Sequence, residues 1–549
     1  MSSFWHLVVS ITPMLAVLVD SAPPRGWRFP KLIDATISDI QWGLEKGCFN
    51  STDIVKIYLD RNYEVDKQLH AITEENPDAL TIAAALDEER LTKGLRGPLH
   101  GMPILLKNSI ATKDKMNTTA GSPVLLGATV PRDSTIARKL REAGAILLGK
   151  ANMSQWSNWR SYNFSNGWSS HGGQALGAYY PQQDPHGSSS GCGVAVSIGL
   201  TAAAIGAETM GSLLGPSGRN GIVGIKTTLG LTSRDLIVPI SEHMDTVGPM
   251  ARTVRDAALV LQAIAGADPR DKFTSSTMPT VPRYVDACRG RSLDGIRIGV
   301  PWNLIETVAD EVLMVELEAF AKMLAILEEA GATVINTAFP TAREVREAEL
   351  VIPFTDFPAN IASYLAQLST NPNNITTLAQ LREWTHKTPS EEFPDRDTKF
   401  WDRSLDRDEF CGRTTHCFSS AKARFGHLVA TRGHFAPLEQ DKLTVIAMPT
   451  SISPFWTAVS GAAAITVPMG HYPKDMQVSM NRRGNLVAVA PGVPFGISFL
   501  GRKWSEYDLI ELAYNLEIRA RVRERVRPKI LPTTEPNLPR SCRPLRSPE

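Results

Sequence analysis

Two short serine-bearing stretches decide how this chain of 549 residues is interpreted. They are His-Gly-Ser-Ser-Ser-Gly-Cys-Gly at residues 186–193 and Gly-Ala-Glu-Thr-Met-Gly-Ser at residues 206–212. Both consist largely of small residues, which let backbone N–H groups approach a ligand closely. Upstream, Lys107 ends the apolar run Gly-Met-Pro-Ile-Leu-Leu-Lys of residues 101–107, which is typical of a buried strand. A buried lysine is a candidate base, and a serine hydroxyl needs such a base to act as a nucleophile.

The rest of the chain alternates between short strands and amphipathic helices. Residues 134–143 place Ile136 and Leu140 on one helical face, and a strand is predicted at 145–148. A longer helix is predicted at 309–330, between strands at 295–300 and 332–335. This alternation predicts an α/β fold with a largely parallel or mixed sheet.

Composition shifts divide the chain into four parts. Residues 1–22 form a hydrophobic N-terminal segment, and residues 30–525 form the main domain. Within that domain, the polar stretch near 371–417 is predicted to be a loop-rich surface insertion. Arginines recur at every second position from Arg519 to Arg527 and are predicted to belong to a solvated helix end. The Pro- and Arg-rich tail, 526–549, is predicted to be disordered.

Charge and cysteine content exclude some classes of partner and cofactor. The net charge of +1 offers no strong field for nucleic acid or acidic lipid. Six cysteines in so long a chain do not form a dense disulfide framework. Cys411, His416 and Cys417 match no zinc spacing, although Cys411–Cys417 could be a disulfide in an oxidising compartment. We expect no metal and no organic cofactor, and the sequence leaves the oligomeric state open.

The N-terminus bears on the compartment. Residues 7–19 are apolar apart from Ser10 and Thr12, which is the length of a signal-peptide core and too short for a membrane span. No lysine or arginine precedes the run, and Pro13 interrupts it. Entry into the secretory pathway is the expectation, with the cytoplasm as the alternative. Glycosylation sequons then become relevant, and they occur at Asn50, Asn117, Asn152, Asn163 and Asn374.

A second hydrolase pattern overlaps the first serine stretch. Residues 187–191 match G-x-S-x-G, the nucleophile elbow of α/β-hydrolases, with Ser189 as the nucleophile. That class also needs a later histidine, for which the sequence offers His416, His427, His434 and His471. An elbow follows a strand directly, whereas residues 182–186 are polar and contain proline. The elbow is therefore the weaker interpretation.

Ordered motifs along the chain resemble the amidase signature family. The segments at 101–107, 150–156, 188–193, 206–212, 219–226, 245–252 and 492–502 follow that family's motifs in order, and the likeness covers about residues 30–525. The triple-serine loop is most similar to the peptide-amidase branch. The resemblance implies a single domain whose mixed central sheet is covered by helices on both faces. It also implies hydrolysis of a small-molecule or peptide-like carboxamide.

The resemblance further implies a role for each catalytic position. Ser212 would be the acyl nucleophile, Ser188 would follow a cis peptide bond and relay the proton, and Lys107 would be the base. The backbone N–H groups of Thr209, Met210, Gly211 and Ser212 would form the oxyanion hole.

The chain departs from the family pattern beside these residues. Asn108 and Ser109 follow the lysine where Asp and Asn are usual, Met210 stands where Gly or Asp is usual, and Cys192 replaces Ser or Gly. Losing a carboxylate beside Lys107 favours its neutral form and also removes groups that could position the loop. An alternative therefore stays open: a catalytically impaired accessory or binding protein with the same fold. A Lys107 too far from Ser188 to form a hydrogen bond would support it.

Overall fold

A computed structural model describes residues 26–275, 280–308, 311–339, 351–406 and 434–543. The predicted N-terminal segment at 1–22, and Cys411, His416, Cys417 and His427, lie outside these residues. The strands are β1 Ile72–Glu75, β2 Pro103–Lys107, β3 Ile146–Ala151, β4 Trp168–Ser169, β5 Gly173–Gln174, β6 Ala203–Glu208, β7 Val223–Lys226, β8 Thr246–Ala251, β9 Arg297–Pro301, β10 Thr333–Thr337, β11 Val445–Pro449, β12 Ala464–His471, β13 Ser479–Met480, β14 Val487–Val489 and β15 Pro494–Leu500.

Helices of very different lengths connect these strands. They are α1 Ile37–Glu45, α2 Ser51–Leu69, α3 Ala79–Lys93, α4 Thr135–Glu142, α5 Ser190–Ser197, α6 Leu214–Arg219, α7 Val254–Ile264, α8 Lys272–Ser275, α9 Trp302–Thr307, α10 Glu311–Glu329, α11 Val351–Leu365, α12 Leu378–Lys387, α13 Lys399–Leu405, α14 Phe435–Gln440, α15 Pro454–Ser460, α16 Glu506–Ala520 and α17 Val522–Arg525. Within the described ranges, no helix is both long and apolar enough to cross a bilayer.

Eleven strands form one mixed sheet in the order β1-β3-β2-β6-β8-β7-β12-β15-β11-β9-β10. The pairs β2–β3, β2–β6, β9–β10 and β9–β11 are parallel, and the others are antiparallel. Every residue of β2, β3, β7, β8, β11 and β15 is buried. Because side chains alternate between the two faces of a strand, both faces of the sheet must be covered. The predicted α/β class and mixed sheet are confirmed.

The sheet also determines where the serine and lysine motifs meet. β2 and β6 are parallel neighbours, so their carboxyl ends, Lys107 and Glu208, lie at the same edge of the sheet. β8 runs antiparallel to β6 with Glu208 opposite Thr246, which brings the residues before β8 to that edge as well. Ligand sites of open α/β sheets are typically built at such carboxyl ends.

The predicted loop-rich insertion differs from the structure. Its described part, 371–406, contains α12 and α13 and packs through Trp401 into a second apolar cluster together with Trp156, Trp159 and Phe357 of the domain. A buried ion pair, Arg160 Nη1 to Glu391 Oε2 at 2.7 Å, anchors it. The sequence did not reveal these helices because the stretch is polar and rich in proline, aspartate and threonine.

Arg519, Arg521, Arg525 and Arg527 are exposed, as predicted, whereas Arg523 is not, and the described part of the tail predicted to be disordered contacts the domain. The Arg523 guanidinium is enclosed and donates to the carbonyls of Ile33, Ser197 and Gly221. Beyond it the chain runs along the body, and Cys542 forms a disulfide with Cys48. These partners are remote in sequence, so local composition could not indicate them.

Candidate active site

Lys107 is held at the carboxyl end of β2 with its side chain 1% exposed. Its Nζ donates to Ser188 Oγ at 2.7 Å and to the Ala207 carbonyl at 2.9 Å. The preceding residues Ile104, Leu105 and Leu106 are fully buried, so the strand delivers the amine into an apolar interior. The structure therefore brings the predicted lysine and the predicted relay serine into direct contact.

Burial changes the protonation of this lysine. It lowers the pKa of Lys107 from 10.5 to about 8, although nearby acidic groups, Asp245 and Glu208, act in the opposite direction. The Cys192 thiol beside it supplies no counter-charge near neutral pH, because burial raises its own pKa to about 12. A substantial fraction of Lys107 is therefore neutral at mildly alkaline pH and able to accept a proton.

Ser188 follows a cis peptide bond after Gly187, as the resemblance implies. Its side chain is fully buried, and its carbonyl accepts from the Ser154 N–H at 3.0 Å. A Cβ on Gly187 would lie 2.4 Å from Ser154 Oγ and 2.8 Å from Asn166 Oδ1, so only glycine fits this close approach. Helix α5 begins two residues later, which fixes the loop at its far end.

Ser212 lies next to this loop. Its carbonyl accepts from the Ser189 N–H at 3.0 Å, which joins the two serine stretches directly. Gly211 has a φ of 75°, and a Cβ there would lie 2.7 Å from Pro454, so the turn before Ser212 requires glycine on both counts. The Ser212 residue is 6% exposed, in contrast to the fully buried Ser188.

The four predicted oxyanion donors are not equivalent. Within the described part of the chain, the N–H groups of Thr209, Met210 and Ser212 have no hydrogen-bond acceptor. The Gly211 N–H faces the Glu208 carboxylate, whose Oε2 also accepts from Leu213 and Leu214 at 2.8 and 2.9 Å. Three of the predicted donors are thus available to a ligand, and Glu208 holds the turn that presents them.

The departures from the family pattern are accommodated locally. Asn108 does position its loop: its Oδ1 accepts from the Thr119 N–H at 2.9 Å and its Nδ2 donates to Thr119 Oγ1 at 3.1 Å. Met210 is half-buried and packs against both apolar clusters. With Lys107 in hydrogen-bond contact with Ser188, the condition that would have supported an impaired protein is not met.

The elbow interpretation does not fit the structure. Ser189 is fully buried, and its hydroxyl donates to the Ala207 carbonyl at 3.2 Å. Of the later histidines that are described, His434 faces Ser460, and neither it nor His471 forms a hydrogen bond with Ser189. Among the described residues there is also no group of three or more His, Cys, Asp or Glu side chains arranged to hold a metal ion.

A cleft of about 320 Å³ opens beside the site. It reaches Ala207, Glu208 and Thr209 on one side and is walled by the loop 234–242 and by helix α11, including Tyr364. Trp156 and Trp159 are buried in the second apolar cluster. Sequence reasoning missed Asp245, which borders this cleft. The only signal was its place in the 245–252 motif.

The fold and this lysine–serine–serine arrangement define a serine hydrolase of amide bonds. The amidase family model matches residues 53–510. An Arthroderma benhamiae protein classed as an amidase is 44% identical over 530 residues, covering 91% of this chain and 88% of the relative.

Solved structures agree. The native peptide amidase of Stenotrophomonas maltophilia is 35% identical with a TM-score of 0.80, covering 91% of this chain and 99% of that one. An amidase family protein of Bacillus anthracis is 27% identical with a TM-score of 0.78, covering 91% and 93%. The chain belongs to the amidase family.

Proposed function

We propose that the protein cleaves a carboxamide through an acyl-enzyme on Ser212, with Ser188 as proton relay and neutral Lys107 as base. The single observation that carries this proposal is the 2.7 Å contact between Lys107 Nζ and Ser188 Oγ, made by a lysine whose pKa is lowered to about 8. A lysine that served only to pair with a charge would face a carboxylate, whereas this one faces a hydroxyl that can exchange a proton.

The proposed reaction runs in two halves. Ser212 passes its proton to Ser188 as it attacks the amide carbonyl carbon, and Ser188 passes its own proton to Lys107. The N–H groups of Thr209, Met210 and Ser212 stabilise the resulting oxyanion, and the relay then runs in reverse to protonate the leaving amine or ammonia. Water attacks the ester on Ser212 in the same manner and releases the carboxylate.

For the substrate, we propose a peptide-like carboxamide, such as a peptide C-terminal amide. Support comes from the TM-score of 0.80 to a peptide amidase that was solved with the competitive inhibitor chymostatin. The adjacent cleft of about 320 Å³ offers room for an acyl group of several heavy atoms.

The test is the intact mass after exposure to a fluorophosphonate, which traps activated serines. Wild type should gain one adduct, Ser212→Ala should gain none, and Ser189→Ala should still gain one. Turnover of a peptide amide should disappear in Ser212→Ala while the thermal unfolding temperature changes little. Retention of turnover in Ser212→Ala would refute the assignment, and loss of the adduct only in Ser189→Ala would restore the elbow interpretation.

We also propose that the chain enters the secretory pathway. The apolar run at 7–19 supports this, as does the disulfide between Cys48 and Cys542, because disulfides persist in oxidising compartments. Expression of the full chain in a eukaryotic host should yield secreted protein that lacks an N-terminal segment. Accumulation in the cytosol with an intact N-terminus would contradict the proposal.

A further inference from the structure

Asp245 connects three segments at the edge of the sheet where the site lies. Its Oδ1 accepts from the Thr209 hydroxyl at 2.6 Å, and its Oδ2 accepts from the N–H groups of Ile240 and Ser241 at 2.7 and 3.0 Å. Thr209 belongs to the turn that leads to Ser212, whereas Ile240 lines the cleft and Ser241 follows it in the loop. One carboxylate therefore sets the spacing between the proposed oxyanion donors and the cleft wall.

The sheet register explains why this contact forms. Glu208 lies opposite Thr246 where β6 and β8 pair, so Thr209 leaves β6 at the point where Asp245 enters β8. The Thr209 N–H is one of the donors left without an acceptor in the described chain. Because the Thr209 hydroxyl is already bonded to Asp245, the residue has little freedom to turn that N–H away from the cleft.

A second carboxylate extends the same connection to helix α11. Ser241 Oγ donates to Asp356 Oδ2 at 2.5 Å, and His243 Nδ1 lies 2.8 Å from the same oxygen. Asp356 is on α11, one turn before Asn360 and two before Tyr364, both of which line the cleft. The cleft wall is thus tied on one side to the turn before Ser212 and on the other to α11.

We propose that Asp245 is a positioning residue for amide hydrolysis: acting through the Thr209 hydroxyl, it holds the oxyanion turn at the correct distance from the cleft. This inference rests on the proposed function, since it presumes that Ser212 reacts and that the turn stabilises charge. It assigns Asp245 no contact with the substrate. An acceptor-only group suits this role, because three donors converge on it and an ionised carboxylate accepts from all of them.

The test compares Thr209→Val, Asp245→Ala and the double variant by steady-state kinetics with a peptide amide. Thr209→Val keeps the size of the side chain and leaves Asp245 with its two backbone donors, so it should fold even if Asp245→Ala does not. Removing an oxyanion donor outright typically costs about 10²–10³ in kcat. In Thr209→Val and Asp245→Ala the donor is still present but loosely held, so kcat should fall about 10- to 100-fold and KM should change by less than about threefold.

A matched control exists at the other end of the sheet. Thr337 Oγ1 donates to Asp441 Oδ2 at 2.7 Å, a contact of the same chemistry on β10. Thr337→Val should lower thermal stability by about as much as Thr209→Val does, and it should leave kcat unchanged. Since Asp245 acts through Thr209, the double variant should be no slower than Asp245→Ala alone.

The outcomes separate this inference from the proposed function. If Thr209→Val matches Thr337→Val in kcat, or if the two losses simply multiply in the double variant, Asp245 does not position the turn and the inference is overturned. If Ser212→Ala retains turnover, the proposed function falls and this inference falls with it. A selective loss of kcat in Thr209→Val, absent from Thr337→Val, is the result expected.

Discussion

Replacing Lys107 by methionine should abolish turnover and, at neutral pH, stabilise the folded protein. Burial that lowers the pKa of Lys107 from 10.5 to about 8 costs its protonated form about 3 kcal/mol. In the unfolded chain the lysine keeps a pKa near 10.4, so between pH 8 and 10.4 the unfolded state binds more protons than the native state. Wild-type stability therefore rises with pH across that window, and the full penalty of about 3 kcal/mol is present below pH 8.

Methionine occupies a similar volume without a charge, so it removes this penalty at every pH. It also removes the hydrogen bonds to Ser188 Oγ and the Ala207 carbonyl, which costs about 2 kcal/mol in total. We expect Lys107→Met to be about 1 kcal/mol more stable than wild type at pH 7. At pH 10 most of the wild-type penalty has disappeared, and the variant should be about 1 kcal/mol less stable.

Urea unfolding of both proteins at pH 7 and pH 10 measures how the stability difference between variant and wild type changes with pH. The expected change is about 2 kcal/mol, and it does not depend on the value assigned to the lost hydrogen bonds. Replacing the exposed Lys93 by methionine is the control and should leave the pH dependence unaltered. The wild-type kcat/KM should rise about tenfold per pH unit up to about pH 8 and then level off. A stability difference that is the same at both pH values would refute the argument that Lys107 is held near its neutral form by burial.

Three further predictions concern the disulfide, the sequons and the insertion. Cys48→Ser should lower the free energy of unfolding by about 2–4 kcal/mol, and limited proteolysis should then trim the C-terminal segment, which stays intact in wild type. In protein from a secretory host, Asn374→Gln should lower the intact mass by one glycan, because Asn374 is exposed. Wild type should carry no glycan at Asn152, because this residue is buried and its amide donates to the carbonyls of His70 and Gly172. Glu391→Ala should cost about 3–5 kcal/mol in urea unfolding, because it leaves Arg160 buried without its partner. Replacing Glu383 of the exposed Glu383–Lys387 pair by alanine is the control and should leave the urea midpoint almost unchanged.

Local patterns predicted the parts of the fold that depend on local chemistry. The helix expected at 134–143 is α4, Thr135–Glu142, and it begins where the Ser134 side chain accepts from the Ala137 N–H. The helix expected at 309–330 is described as α10, Glu311–Glu329. Both carry regular apolar periodicity over a long enough stretch for tertiary packing to reinforce the local preference rather than override it.

What the sequence could not provide are contacts between remote residues. The arginine run was predicted to be solvated because basic runs usually form exposed faces, yet the acceptors of Arg523 are carbonyls about 300 to 490 positions away. Cys48 and Cys542 are 494 residues apart, and cysteine pairing cannot be deduced from spacing alone. The Thr209–Asp245 contact depends on the β6–β8 register, which only the assembled sheet defines.

The site also shows why a perturbed pKa does not by itself identify a catalytic lysine. Burial lowers the pKa of Lys107, Lys150 and Lys226 alike to about 8. Lys226 donates to the backbone carbonyls of Thr457 and Ala462, which have no proton to release. Its amine therefore has a structural role, linking these two backbone positions.

Lys150 resembles Lys107 more closely, because it contacts a hydroxyl as well as a carbonyl: it donates to the Ile110 carbonyl and to Thr118 Oγ1, the latter at 3.0 Å. Among the described residues, however, Thr118 Oγ1 forms no hydrogen bond with a second hydroxyl, so Lys150 has no nucleophile to activate through it. Lys107 alone among these three faces a serine whose neighbouring residue is joined by a backbone hydrogen bond to the second serine loop. The chemistry therefore follows from the lysine's partner, and burial only makes the neutral amine available.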